Sequence, residues 1–130
     1  MEAISPEGIL LLLALFQVKH ALGDGPLQTI RMVREKGVYG KAGGLYHAGI
    51  HGVGSLVALM VFGLAALPAL LLAVLDAVIH YHVDLIKESI VQRNGWTHDK
   101  PAFWWALMAD QLTHQLTYLL LASAVIRIAI

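Results

Sequence analysis

Residues 75–89, LDAVIHYHVDLIKES, place charged and imidazole side chains inside an otherwise apolar run. Asp76, His80 and Asp84 are spaced four residues apart, and Lys87 follows three residues later. At 100° per residue, these four side chains fall within about 80° of arc on one helix face. Ionisable groups in an apolar helix are costly, and they are retained where they face partners, metal or water. The stripe therefore predicts a functional site.

The chain carries four pairs of potential metal ligands at i, i+4 spacing, one on each long predicted helix. The pairs are His20 and Asp24, His47 and His51, His80 and Asp84, and Asp110 and His114. This spacing points both side chains of a pair in one direction, as helices do when they present paired metal ligands. Imidazoles with carboxylates suit zinc, iron, manganese or nickel better than magnesium or calcium. We therefore predict that these residues bind one or two divalent transition-metal ions, with zinc favoured.

The four pairs resolve into two layers if neighbouring helices run antiparallel. One layer contains His20, His51, His80 and His114, and the other contains Asp24, His47, Asp84 and Asp110. Matching depth on four helices favours a single shared site. A network of hydrogen bonds and ion pairs without metal stays open as an alternative, because buried histidines and aspartates also link helices in that way.

Four further residues are predicted to support the ligands. Asp76 lies one turn deeper than His80 and is expected to orient an imidazole, as metal-bound histidines require. Lys87 either neutralises the carboxylate layer or extends to the membrane interface. Gln28 and Gln111 adjoin the ligand pairs, as hydrogen-bond donors or as helix-packing residues.

The composition predicts an integral membrane protein. Of 130 residues, 58% are hydrophobic and 14% are charged, whereas soluble domains carry about 25% charged residues. A soluble bundle would need polar outer faces, yet Asp76 is the only charge between Ala48 and Ile79. The net charge of zero gives no reason to expect nucleic-acid binding. The absence of cysteine excludes disulfides, thiolate ligands and cysteine nucleophiles.

The pattern of apolar runs predicts a single all-α domain with four transmembrane helices. Their expected bounds are about 7–24, 45–66, 69–91 and 102–130, with a short amphipathic interfacial helix at 27–36. Pro6 suits the opening turn of the first helix, and Leu67-Pro68 is expected to form a tight turn. The first helix is expected to be retained rather than cleaved as a signal peptide, because no basic region precedes it.

Basic residues concentrate in two connections, which predicts the topology. Arg31, Arg34 and Lys36 lie between the first two long helices, and Arg93 and Lys100 lie between the last two. The positive-inside rule therefore places both long loops in the cytoplasm and both termini outside.

Several of these segments together resemble a known family. HALGDGPLQ (20–28), HYHVDLIK (80–87), DQLTH (110–114), and His47 with His51 after Lys41 resemble domain of unknown function 3307. Gly25 departs from the pattern, which usually has an aromatic or apolar residue there. The family comprises small membrane proteins of bacteria and their phages. The resemblance implies a compact multi-helix protein of a bacterial-type inner membrane, and it implies no established activity.

The site predicts an intramembrane metal-dependent hydrolase acting on a lipid-borne ester or phosphoester near the cytoplasmic face. Asp84 or Asp110 is the expected general base, and the partners are the bilayer and an anionic lipid. The alternative is a divalent-metal transporter or sensor, which would need a homo-oligomeric pore because the outer half of the bundle has few polar residues. A third hypothesis is a haem or di-iron redox protein.

Overall fold

The computed structural model describes residues 4–129, and the chain is helical with no strand within that range. The helices are α1 Pro6–Asp24, α2 Ile30–Glu35, α3 Ala42–Phe62, α4 Ala66–Arg93 and α5 Pro101–Ala129. The all-α prediction and the short second helix are confirmed. The predicted helix end at Ile130 lies outside the described residues.

Local sequence explains where the helices begin and end. Ser5 caps α1 by accepting a hydrogen bond from the Gly8 amide at 3.1 Å, and Pro6 occupies the first turn. Gly63, with a φ of 102°, ends α3 in a left-handed conformation that favours glycine. The predicted turn at Leu67-Pro68 is therefore wrong. Pro68 lies inside the first turn of α4, where a missing N–H costs no helical hydrogen bond.

The four long helices pack in the cyclic order α1, α3, α4, α5, and α5 returns to contact α1. Gly8 near the start of α1 lies beside Phe62 at the end of α3, so these two helices run antiparallel. A Cβ added at Gly52 would meet the Cβ of Ala77 at 2.9 Å, which shows how closely α3 approaches α4. The bundle therefore brings one face of every long helix to a common interior.

Polar and apolar side chains are distributed unusually around this bundle. One end of the interior is an apolar core that contains Leu12, Phe16, Leu59, Leu121 and Val125, each with 0% exposure. The other end contains the predicted ligands. The outward faces carry large apolar side chains: Leu10, Val53, Leu71 and Leu112 are 67%, 63%, 61% and 59% exposed. Much of the outer surface is therefore apolar, whereas histidine and aspartate are inside.

Two helices, α3 and α4, are long and apolar enough to cross a membrane. Four spans were predicted, and within the described residues this criterion supports two of them. The polar residues of the interior are the reason. Lys19 and His20 interrupt the apolar run of α1, and Asp110 and His114 interrupt that of α5.

The short helix α2 is fastened to the start of α3 by Glu35. The Gly43 amide donates a hydrogen bond to Glu35 Oε2 at 2.6 Å, and Arg31 Nε donates to Oε1 at 3.0 Å. The hydrogen bond from the Gly43 amide has the larger effect and the Arg31 guanidinium the smaller, and both hold the pKa of the Glu35 carboxyl below its usual value. This attachment places the next residue, Lys36, against the bundle, where it is 7% exposed.

Candidate metal centre

The imidazoles of the four helices meet in one cluster. The ring of His80 stacks on His51 with centroids 3.6 Å apart and on His114 at 4.1 Å. His20 lies 5.3 Å from both His51 and His114, and His47 lies 5.1 Å from His80. The structure thus brings together the predicted layer of four histidines, with His47 beside it.

The first group of converging ligand atoms comes from α1, α3 and α4. It contains Asp24, His47, His51 and His80. Asp24 Oδ1 lies 3.0 Å from His51 Nε2 and 3.3 Å from His47 Nε2. His47 Nε2 in turn lies 3.2 Å from His80 Nε2. Three of these side chains are buried, and Asp24 is 25% exposed.

The second group comes from α4 and α5 and contains His80, Asp84 and His114. Asp84 Oδ1 lies 3.4 Å from His114 Nε2, and Asp84 Oδ2 lies 3.5 Å from His80 Nε2. Asp84 Oδ2 also lies 3.1 Å from His47 Nε2, which connects the two groups. All three members of this group are buried.

These distances fit a metal site. Ligand atoms bound at 2.0–2.1 Å to a tetrahedral ion are on the order of 3.3–3.4 Å apart, and the nitrogen–oxygen separations quoted for the two groups run from 3.0 to 3.5 Å. Two buried carboxylate oxygens of predicted ligands, Asp84 Oδ2 and Asp110 Oδ1, make no hydrogen bond of acceptable geometry within residues 4–129, and neither do the Nδ1 atoms of His47, His51 and His80, which are the ring nitrogens opposite the converging Nε2 atoms. The buried histidine and aspartate groups could therefore hold a metal ion.

Two of the eight predicted ligands adjoin these groups without belonging to them. His20 Nδ1 lies 2.6 Å from the Tyr118 hydroxyl, and its Nε2 lies 2.9 Å from Gln111 Oε1. Asp110 Oδ1 lies 3.4 Å from His114 Nε2. Ligation by His20 and Asp110 stays a prediction.

Asp76 has different partners from the imidazole predicted for it. Its Oδ2 accepts hydrogen bonds from Lys19 Nζ at 2.7 Å and from Ser55 Oγ at 2.6 Å. Lys19 is only 8% exposed and also lies over the Tyr118 ring at 4.5 Å. The carboxylate of Asp76 is therefore satisfied by a buried ion pair one turn below the histidines, and this corrects its predicted role.

Three predicted supporting residues, Gln28, Lys87 and Gln111, lie near the outer carboxylates, together with Lys36, which was predicted only as a basic loop residue. Lys36 Nζ lies 3.4 Å from Asp84 Oδ2 and donates to Gln28 Oε1 at 3.0 Å. Lys87 Nζ pairs with Glu88 and lies 3.9 Å from Asp110 Oδ2.

Gln111 connects the first and last long helices at the centre. It donates to Asp24 Oδ2 at 3.1 Å, and its Oε1 faces His20 Nε2. Tyr118, which the sequence analysis also passed over, contacts His20 from one turn below the ligand pair of α5. Its signal was weak, because a tyrosine in an apolar helix most often indicates packing or an interface.

A cavity of about 360 Å³, which we term the polar cavity, lies beside the centre. Its polar lining comprises Asp24, Gln28, Lys36, Lys87, Glu88, Asp110 and Gln111. Carboxylates from the cluster, Lys36 just after α2 and Lys87 on α4 thus face the same space. The arrangement can hold a metal ion within reach of an anionic ligand.

Fold and site define an all-helical protein with a buried histidine–aspartate centre among four helices. The chain belongs to the family described as protein of unknown function (DUF3307), whose family model matches residues 11–129. This confirms the resemblance identified in the sequence. No curated protein and no solved structure matches the chain.

Proposed function

We propose that this chain is an intramembrane metalloprotein and a metal-dependent hydrolase of a lipid-borne ester or phosphoester. The observation that carries the proposal is the junction of the ligand cluster with the polar cavity. Asp24 belongs to the first ligand group and lines the cavity, and Lys36 and Lys87 line the same space. A site for a cation and a site for an anion are therefore adjacent.

The proposal includes four transmembrane spans in a bacterial-type inner membrane, with long loops cytoplasmic and termini outside. Apolar residues on the outer faces of the two more polar helices support it. Leu11 and Val18 on α1, and Leu116 and Leu120 on α5, are each more than half exposed. Trp105 is 72% exposed near the loop end of α5, as an aromatic interface belt requires. Water would be a poor solvent for this surface.

The residues of the first group would hold one ion, and those of the second group could complete a site for another. A bound divalent ion supplies Lewis acidity, which lowers the pKa of water and stabilises negative charge on the reacting oxygen atoms. His80 belongs to both groups. Its position makes it the side chain whose removal most directly disrupts the centre.

Asp110 is the proposed general base. Its Oδ1 makes no hydrogen bond of acceptable geometry among the described residues, although His114 Nε2 lies 3.4 Å away, and the side chain lines the polar cavity. The carboxylate takes one proton from the attacking water, whose oxygen bonds to the phosphorus or acyl carbon. The bond from that atom to the leaving oxygen breaks, and the leaving oxygen receives the proton. Lys36 and Lys87 attract the anionic group to this position.

Two features make the alternative functions less favourable. Leu12, Phe16, Leu59 and Leu121 fill the bundle beyond Asp76, so a transported ion would have to cross an apolar core. The stacked imidazoles of the centre leave no gap for a porphyrin between them. The di-iron alternative is tested by the optical spectrum of the purified protein, because a zinc centre is colourless and an iron centre absorbs visible light.

Elemental analysis of the full chain purified in detergent tests the metal site. We expect one or two equivalents of a divalent transition metal in the wild type and a large loss in His80→Ala. His82→Ala is the matched control, because His82 lies on the same helix, is exposed, and donates a hydrogen bond from Nδ1 to the Val78 carbonyl instead. A wild-type protein without stoichiometric metal would contradict the proposal.

Product release tests the hydrolase separately. The metal-loaded chain is expected to release inorganic phosphate or fatty acid from anionic phospholipid in mixed micelles. Chelation should stop the release, and added zinc or manganese should restore it. If the chain holds stoichiometric metal but releases neither product, the result supports the metal site and contradicts the hydrolase activity.

A further inference from the structure

An apolar groove runs between α4 and α5 on the outer surface. This α4–α5 groove has a volume of about 270 Å³ and is lined by Val83, Ile86, Ile90, Ala106, Ala109 and Thr113, with Lys87 and Asp110 at one side. The two alanines leave the space that larger side chains would fill. The Thr113 hydroxyl donates to the Ala109 carbonyl at 2.7 Å, so it needs no partner in the groove.

The α4–α5 groove adjoins the polar cavity, because Lys87 and Asp110 line both. Two other apolar grooves among the described residues lack this junction. One of about 530 Å³ contains Gly49 and Val53, and one of about 220 Å³ contains Gly52 and Val53, and neither is lined by a predicted ligand. A polar compartment and an apolar one therefore meet at the proposed general base.

The dimensions of the groove suit a segment of one hydrocarbon chain. From Val83 to Ile90 it extends on the order of 10 Å along the helix axis. Ile86 is 60% exposed and Ile90 is 44% exposed, so the groove is open laterally toward the surroundings of the bundle. A lipid in the bilayer could reach it without leaving the apolar phase.

The charges of the polar cavity make anion binding depend on metal. Two lysines and three carboxylates line it, Asp24, Glu88 and Asp110 being the acids, so the formal charge of the lining is −1. One divalent ion held by the first group changes this sum to +1. An anionic headgroup is therefore repelled less by the loaded centre than by the empty one, although Asp84, 3.4 Å from Lys36, adds a further negative charge.

From this junction we infer, building on the proposed function, that the substrate is a phosphate-bearing lipid. One acyl chain lies in the α4–α5 groove, and the phosphate lies in the polar cavity beside Lys36 and Lys87. The lipid enters from the side of the bundle. Lys87 and Asp110 stand where headgroup and chain join, which places the ester and phosphoester bonds next to the proposed base.

Photolabelling with phosphatidic acid that carries a diazirine on one acyl chain tests this inference without requiring turnover. In mixed micelles, the metal-loaded chain should be labelled mainly at residues 83–90 and 106–113. Ala106→Leu, and separately Ala109→Leu, should lower this labelling about tenfold by filling the groove. Gly49→Leu is the control, because a Cβ at Gly49 meets nothing within 4 Å and the site is remote from the groove.

Each outcome separates the inference from the proposed function. If a protein that does contain metal is labelled evenly over its apolar surface, the inference is overturned, and the proposed metal site is not contradicted. Equal labelling by a diazirine-bearing diacylglycerol, or labelling unaffected by chelator, also overturns it, because the phosphate then contributes nothing. Absence of metal from the wild type overturns the proposed function, as elemental analysis would show directly.

Discussion

Nε2 of His47 lies 3.2 Å from Nε2 of His80, and both nitrogens lie within 3.5 Å of the same carboxylate oxygen of Asp84. Two neutral imidazoles can be placed in this way if one or both donate a proton to the shared Asp84 oxygen, or if both direct a lone pair toward a cation. The second arrangement also satisfies the adjacent carboxylates. This relationship between α3 and α4 is the basis of the first prediction.

Zinc should raise the thermal stability of the wild-type chain in detergent, because the ion binds only where the ligands are assembled. At a free concentration 100 times the dissociation constant, the gain is about 2.7 kcal/mol. His47→Ala should abolish most of this gain, since His47 contacts Asp24, His80 and Asp84. His82→Ala should keep it. An equal stabilisation by zinc in His47→Ala would contradict the prediction.

Asp84→Asn and Asp110→Asn should have different effects. Asp84 contacts His80 and His114 within the second ligand group, so its substitution should lower both metal content and turnover. Asp110→Asn should keep most of the metal of the first group and lower turnover by about 10²–10⁴-fold, the usual contribution of a general base. Metal analysis and initial rates on the same preparations compare the two. Full turnover by Asp110→Asn would exclude it as the base.

Gly23→Ala should weaken metal binding through His51. A Cβ at Gly23 would lie 2.5 Å from His51 Nε2 and 2.6 Å from Cε1, so the imidazole must move. The expected loss of metal affinity is about 10–100-fold, as for other changes that reorient a ligand. Titration with zinc measures it. Gly49→Ala, in open space on α3, should bind zinc as tightly as the wild type does. A similar loss of affinity in that variant would mean that any glycine-to-alanine change weakens binding, and not the displacement of His51.

Lys19→Met should destabilise the bundle by about 3–5 kcal/mol, because it leaves the buried carboxylate of Asp76 without its cation. The salt bridge is 2.7 Å long, and both side chains are less than 10% exposed. The double variant Lys19→Met with Asp76→Leu removes both charges and should recover much of the loss. Thermal unfolding in detergent measures all three proteins. A double variant no more stable than Lys19→Met would show that burial of charge is not the cause.

Glu35 should make the attachment of α2 dependent on pH. The pKa of this carboxyl is lowered in the folded state by the Gly43 amide and then by Arg31. Its stabilising effect is therefore fully present above the unfolded glutamate pKa of about 4.3. The effect is lost as the pH falls through the lower folded pKa. Amide exchange of α2 should be slower in wild type than in Glu35→Gln at pH 6, and the difference should shrink below pH 4.

The sequence was most informative where helical periodicity determines the answer. A four-residue spacing directs His80 and Asp84 to one face whatever the rest of the chain does, and the same holds for the other pairs. Antiparallel packing of long helices then brings these faces to similar depth. The prediction that the four pairs lie close together therefore needed no knowledge of loop geometry.

The sequence could not reveal contacts made by long flexible side chains from elsewhere. Lys36 reaches Asp84 only because Glu35 fastens α2 to Gly43, a relationship between separate segments. Lys19 was not among the predicted site residues, yet it lies inside the bundle against Asp76. Four spans were predicted, yet of the described helices only α3 and α4 are apolar enough to cross a membrane, because buried polar residues lower the hydropathy of α1 and α5.

The two ligand groups draw on different parts of the chain, and this matters for biosynthesis. The first group needs only α1, α3 and α4, whereas the second needs His114 of α5. A chain is made from its N-terminus. All four residues of the first group have therefore been synthesised by the time the ribosome reaches the end of α4 at Arg93. A nascent chain halted between Arg93 and Pro101 would therefore contain every residue of one group while the other still lacked a ligand.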